Sequence, residues 1–150
     1  MRRILWMKVG LAAAGLLVAA GLLGYFMIFY NQKTKVCFND VCFQAEAAKN
    51  RFTIARGLMF RENLAENEAM LFAFKKEGFH SFWLKNILIP LDIIFLDKNK
   101  KVIEVVKNVQ PCKSEKCQSY RNQSPAQYVL EVNAGTADRI GLQSGSLLRF

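Results

Sequence analysis

Two carboxylates sit in stretches that otherwise avoid charge. Asp92 interrupts Ile89-Pro90-Leu91-Asp92-Ile93-Ile94-Phe95-Leu96, and Glu131 interrupts Tyr128-Val129-Leu130-Glu131-Val132. A carboxyl group taken out of water needs a cation or hydrogen-bond donors, or it keeps its proton. Side chains alternate along a strand, so Asp92 shares a face with Ile94 and Leu96, and Glu131 shares one with Val129 and Asn133. If those faces meet across a sheet, the two acids form a pair suited to acid–base chemistry. Otherwise each is a buried group whose partner helps specify the fold. Lys85, Arg56 and Arg61 are the candidate partners of Asp92.

Trp83 offers different chemistry. Ser81, Trp83 and Lys85 share one strand face, Phe82 and Leu84 the other, and Asn86 follows. An indole face holds a sugar ring or a cation, and the polar neighbours would orient it. The alternative packs Trp83 into the core, with Lys85 reaching past it to water. The candidate ligand-binding residues are therefore Trp83, Lys85, Asn86, Asp92 and Arg61. The candidate catalytic residues are Asp92 and Glu131.

The four cysteines form two local pairs. A two-residue turn at Asn39-Asp40 pairs Phe38 with Val41 and puts Cys37 opposite Cys42, in a non-hydrogen-bonded pair within disulfide reach. Cys112 and Cys117 close a second short loop. Four thiolates could instead hold zinc, but four intervening residues is the edge of the usual ligand spacing. Disulfides are the expectation, with no metal. A redox role lacks the C-x-x-C spacing. His80 is the single histidine, so neither a Ser-His-Asp triad nor a multi-histidine metal site can be built. No phosphate-cradling Gly-rich loop or Gly-x-Ser-x-Gly elbow is present, and no cofactor is expected.

Short strands must position these residues. A hairpin is expected over residues 36–38 and 41–47, then a short helix ending at Gly57 and a loop over residues 62–68. Further strands are expected over residues 70–74, 79–85, 88–96, 102–106, 128–132 and 145–150, with turns at 75–78 and 97–100. A loop over residues 108–124 carries the second cysteine pair, and one helical turn over 136–140 stops at Gly141. The pattern predicts a mainly β domain, a compact antiparallel sandwich or small barrel with one or two short helices.

Ahead of this domain, residues 9–30 carry no charge and follow Arg2, Arg3 and Lys8. A helix of that length is roughly 33 Å long, enough to span a bilayer core. The exit of the run is bulky and aromatic rather than small, which favours an uncleaved anchor over a signal peptide. The expected order is a cytoplasmic N-terminus (1–8), a transmembrane anchor (9–30), a linker (31–35) and a β domain (36–150). The charge bias keeps residues 1–8 inside, and the cysteines suit an oxidising compartment, so the domain is expected in the periplasm or outside the cell. The chain carries a net charge of +9; without Arg2, Arg3 and Lys8, 18 basic residues face 12 acidic ones, a net +6. Such a surface attracts anionic envelope polymers or lipid, and nucleic acid is not an expected partner in that compartment.

Four segments in order resemble a known family: Arg56-Gly57-Leu58-Met59-Phe60-Arg61, Phe82-Trp83-Leu84-Lys85-Asn86, Ile89-Pro90-Leu91-Asp92-Ile93-Ile94-Phe95 and Leu130-Glu131-Val132-Asn133-Ala134-Gly135. Together they make residues 36–150 similar to the bacterial and archaeal family called domain of unknown function 192. The resemblance implies a jelly-roll-like β fold, often secreted or membrane-anchored, and brings no agreed activity. The family usually has Thr where this chain has Ile87, so a mechanism needing a hydroxyl there does not carry over. The expected function is a membrane-anchored extracytoplasmic module that binds an envelope glycan, small molecule or protein partner without chemistry. The alternatives are an envelope hydrolase or transferase using Asp92 and Glu131, and a structural or assembly protein.

Overall fold

The structure is a computed structural model and describes residues 33–150. The expected cytoplasmic stretch and anchor lie outside the described residues. Among the described residues no helix is long and apolar enough to cross a membrane.

Eight strands and two short helices follow in the order β1 (Lys33–Phe38), β2 (Val41–Ala48), α1 (Arg51–Arg56), β3 (Glu68–Gly78), β4 (Ser81–Phe82), β5 (Leu91–Leu96), β6 (Val102–Val109), β7 (Tyr120–Arg121), β8 (Ala126–Asn133) and α2 (Thr136–Ile140). Six strands form one sheet in the order β1-β2-β3-β8-β5-β6, and β4 pairs with β7 in a small ribbon. The first strand begins at Lys33, inside the stretch expected to be linker.

The mainly β expectation holds, with one correction. The sheet is not wholly antiparallel: β2 and β3 run parallel, from Gln44 opposite Glu68 to Ala48 opposite Phe72. Parallel neighbours need a crossover connection, and the segment containing α1 supplies it. Asn50 starts that helix by accepting hydrogen bonds from the amides of Phe52 and Thr53, while the Thr53 hydroxyl accepts from the Asn50 amide. Gly57 ends it at φ 48°, a conformation L side chains rarely adopt.

Two other expectations shift. The turn expected over residues 75–78 is strand, because β3 runs on to Gly78 with a register break after Ala73. The long strand expected over residues 79–85 is only two residues, Ser81–Phe82.

Strand β5 is buried along its whole length. Leu91, Ile93 and Phe95 enter one apolar cluster with Met70, Phe72 and Val129; Ile94 and Leu96 enter the other with Leu71, Leu130 and Val132. Burying each of these large side chains stabilises by about 1.5–3 kcal/mol. The β4–β7 ribbon covers the first cluster through Phe82, whose ring meets Phe72 and Phe95 edge-on at 4.9 and 5.8 Å. Ala137 and Leu142, from α2 and just beyond it, cover the second.

The segment 145–149 joins the two sheet edges. Arg149 exchanges both backbone hydrogen bonds with Cys37 of β1, and the Val102 amide of β6 donates to Ser146. Leu148 is buried in the second cluster, and the Phe150 ring packs edge-on against Tyr128.

All four cysteines form disulfides, so no thiolate is left for zinc. Cys37 and Cys42 are register partners with Cα atoms 4.1 Å apart, as a non-hydrogen-bonded pair requires. Both loops are short. Replacing Cys112 and Cys117 together by serine should therefore cost only about 2 kcal/mol. The check is a modest fall in the urea midpoint with the slope unchanged.

Candidate functional site

The β4–β7 ribbon does not seal the face it covers. Between it and the α1 segment lies a cleft of about 410 Å³, within the range of small-molecule sites. Rings dominate its lining: Phe72 and Phe74 from β3, Phe79 and His80 from the connection to β4, then Phe82 and Trp83. Arg56, in the last turn of α1, and Glu131, from β8, also line it.

Each side chain is placed by local alternation. Leu84 is buried at 1% exposure, while Trp83 is 56% exposed. The indole is therefore on the open side of the segment, not in the core. Glu131 lies opposite Met70 on one side and Ile93 on the other. Those neighbours are apolar, so it is buried in hydrocarbon. Its Oε2 is buried and has no hydrogen-bond partner among the described residues. Desolvation pushes the Glu131 carboxyl up to about 8, so at neutral pH it is an acid holding its proton. His80 is fixed on three sides: its ring stacks on Phe74 at 3.5 Å, its Nε2 donates to the Ala126 carbonyl at 3.0 Å, and its amide donates to Asn122. Burial lowers its pKa, which favours the neutral ring.

The sequence-predicted residues are dispersed. Lys85 and Asn86 line a neighbouring cleft of about 670 Å³ with Leu88, Gln110 and the Cys112 loop. The two clefts share Ile87. The platform expected from Trp83, Lys85, Asn86 and Asp92 is thus split. Arg61 is held by Glu46 of β2 and is not among the residues lining either cleft.

Asp92 is fully buried on the opposite face of the sheet, where backbone amides hold it. Its Oδ1 accepts from the Asn108 amide at 2.8 Å and its Oδ2 from the Ala137 amide at 2.9 Å. Asn108 takes a left-handed φ of 52° where β5 and β6 lose register, and that amide needs a partner. Ala137 lies in the first turn of α2, whose N-cap, Gly135, has no side chain to offer. Asp92 caps the helix instead. This corrects the proposed acid–base pair: Asp92 faces the cluster of Ile94 and Val132, Glu131 the cluster of Ile93 and Val129. The two carboxyls cannot flank one bond from opposite sides of a sheet. Asn133, which shares the Glu131 face, donates to the Leu64 carbonyl.

Sequence reasoning underrated Arg56 and His80. Arg56 was a partner for Asp92 and His80 an isolated strand residue. The available signal was the run Phe79-His80-Ser81-Phe82-Trp83.

A DUF192 family model, described as an uncharacterized ACR, matches residues 33–150. The chain is similar to a solved protein of unknown function from Novosphingobium aromaticivorans DSM 12444, at 31% identity and a TM-score of 0.73, over 79% of this chain and 86% of that one. It is also similar to a solved protein from Sinorhizobium meliloti 1021 described as a candidate transcription regulator, at 30% identity and a TM-score of 0.70, over 77% of this chain and 89% of that one. No curated protein matches it.

Proposed function

We propose a function on one premise: this chain belongs to the DUF192 family, an uncharacterized one, so the reading must come from the cleft itself. The domain is a binding module. The ring-lined cleft takes a small molecule or a sugar unit of an envelope glycan, stacked on Trp83 and hydrogen-bonded at its floor by Glu131. The observation that carries this reading is the Glu131 Oε2, a buried polar atom with no partner among the described residues, at a cleft walled by aromatic rings. Such an atom costs roughly 1–3 kcal/mol when left unpaired, and a ligand hydroxyl or carboxylate would satisfy it. Aromatic faces hold sugar rings without needing charge. The two disulfides suit an oxidising compartment, which supports an extracytoplasmic domain held at the membrane by residues 9–30. The two-carboxylate hydrolase is not carried forward, because its acids lie on opposite faces.

The test uses the full chain in detergent. The chain has two tryptophans, so Trp6→Phe leaves Trp83 as the one indole reporter. Titration with glucose and with glucuronate should change its emission saturably for at least one sugar. Trp83→Ala should abolish that binding by calorimetry while moving the melting temperature by only a few degrees, because the indole is 56% exposed. Silence with both sugars, or a collapse in stability, would overturn the reading.

A further inference from the structure

We propose that the aromatic rim of the two clefts docks on an anionic lipid bilayer. Phe52, Phe60, Phe79, Trp83 and Leu88 enter the headgroup boundary, while Lys49, Arg51, Lys85 and Arg121 meet lipid phosphate. This rests on the membrane attachment proposed above and goes further by naming the face that meets lipid.

Six large apolar side chains are exposed among the described residues, and five of them surround the clefts. Phe79 and Trp83 line the first cleft and Leu88 the second. Phe52 shares a helix face with Ala55, three residues on, which lines the first cleft. The Phe60 amide donates to the carbonyl of Asn86, a residue of the second cleft, at 2.8 Å. Apolar exposure gathered in one region marks a surface that is covered in use. Trp83 lines the cleft and is 56% exposed, so the indole has one side for a ligand and one for lipid.

Cations accompany these rings. The Arg51 guanidinium lies 4.7 Å from the Phe52 ring centre, and that of Arg121 lies 5.1 Å from the Phe79 ring centre. Lys49 is exposed just before the helix cap Asn50, and Lys85 lines the second cleft. Among the described residues none of these four is in a salt bridge. The second cleft has one acid, Glu115, against Lys85 and Lys113. Rings mixed with basic side chains suit a partner that is apolar inside and anionic at its boundary.

The entry point of the chain selects lipid over a protein groove. Only Asn31 and Gln32 separate the uncharged run of residues 9–30 from β1, which begins at Lys33. Two extended residues reach about 7 Å, so a domain tethered by that run stays at the headgroup layer. Lys33 lies opposite Glu46, near the end of β2 that leads into α1. Glu46 also holds Arg61, the neighbour of Phe60. The tether therefore enters beside the aromatic rim.

Phe60 adds an independent sign. Its φ is 64°, a region where bulky side chains are rarely found, and its ring is still 67% exposed. Packing within the domain gives no reason to keep a phenyl ring there. A lipid contact does.

The experiment reconstitutes the full-length Trp6→Phe chain, whose one indole is Trp83, into vesicles. The lipid is phosphatidylcholine alone or an equal mixture with phosphatidylglycerol. In the mixture, Trp83 emission should shift to shorter wavelength, and brominated acyl chains should remove about half of it. Both effects should shrink in phosphatidylcholine alone and in the mixture at high salt, which screens the cations. Phe52→Ser combined with Phe60→Asn should abolish them. Both rings are exposed and asparagine tolerates positive φ, so the melting temperature should hold or rise. A reporter moved to the opposite face, by Trp83→Phe and Leu147→Trp, should escape quenching; the adjacent Leu148 packs into the other cluster.

A Trp83 left unshifted and unquenched in the mixed vesicles, with the chain resisting carbonate extraction, would leave the attachment standing and sink the docking face. Release by carbonate, with Trp83 quenched before it, would sink the attachment and support the docking face. Quenching that survives the double variant, or is equal at position 147, would also sink it.

Discussion

Glu131→Gln should make the protein more stable at pH 8 than the natural chain, and nearly equal to it at pH 5. The direction follows from proton linkage. The folded state holds the Glu131 proton up to about 8, while the unfolded chain gives it up near its ordinary 4.5. Unfolding therefore releases a proton between these values, and stability falls as pH rises through that window. The slope is at most about 1.4 kcal/mol per pH unit, so the accumulated loss is on the order of a few kcal/mol at pH 8. Below about 4.5 both states are protonated and this contribution is complete. Glutamine has almost the same shape and no proton to lose, so its denaturation midpoint should stay level across the window. Urea unfolding of both proteins at pH 5 and 8 is the check. Parallel curves would mean that Glu131 is ionised in the fold.

Asp92→Ala should be the most damaging single substitution away from the apolar core. It leaves the Asn108 and Ala137 amides buried without acceptors and opens a cavity between β5 and α2. Each orphaned amide costs about 1–3 kcal/mol, so a loss of roughly 3–5 kcal/mol is expected. Asp92→Asn should recover only part of it, since an amide side chain offers one acceptor oxygen where two donors converge. The measurement is the urea midpoint for the three proteins. If Asp92→Ala loses less than about 1 kcal/mol, the residue is not the helix cap described here.

These two acids also mark what the sequence could and could not tell. The apolar setting of Asp92 and Glu131 announced burial, and both are buried. The partners were illegible. Asp92 was matched with Lys85, Arg56 or Arg61 because side-chain charge is visible in a sequence, whereas its donors are backbone amides 16 and 45 residues away. An amide at a register break or a helix start looks like any other until the fold is known.

Local features were legible for the opposite reason. The Cys37–Cys42 hairpin and the helix ending at Gly57 depend on neighbours within a few positions. The parallel pairing of β2 with β3 was not, since alternation reports which face is buried and not the direction of the adjacent strand. The cleft was half legible. The sequence left Trp83 between an open ligand platform and the core, and the structure exposes it; the separation of Lys85 and Asn86 into a second cleft follows from the short β4, which ends at Phe82.

The seam made by residues 145–149 sets the timetable of folding. Cys37 meets Arg149 across more than a hundred residues, and Val102 needs Ser146. Until residues 145–149 dock, the outward amides of Cys37 in β1 and Val102 in β6 lack their backbone acceptors. Contacts so distant in sequence form slowly, and waiting strand edges invite pairing with other chains. The last backbone bonds of β1 and β6 thus belong to the slowest, most non-local contacts of the domain.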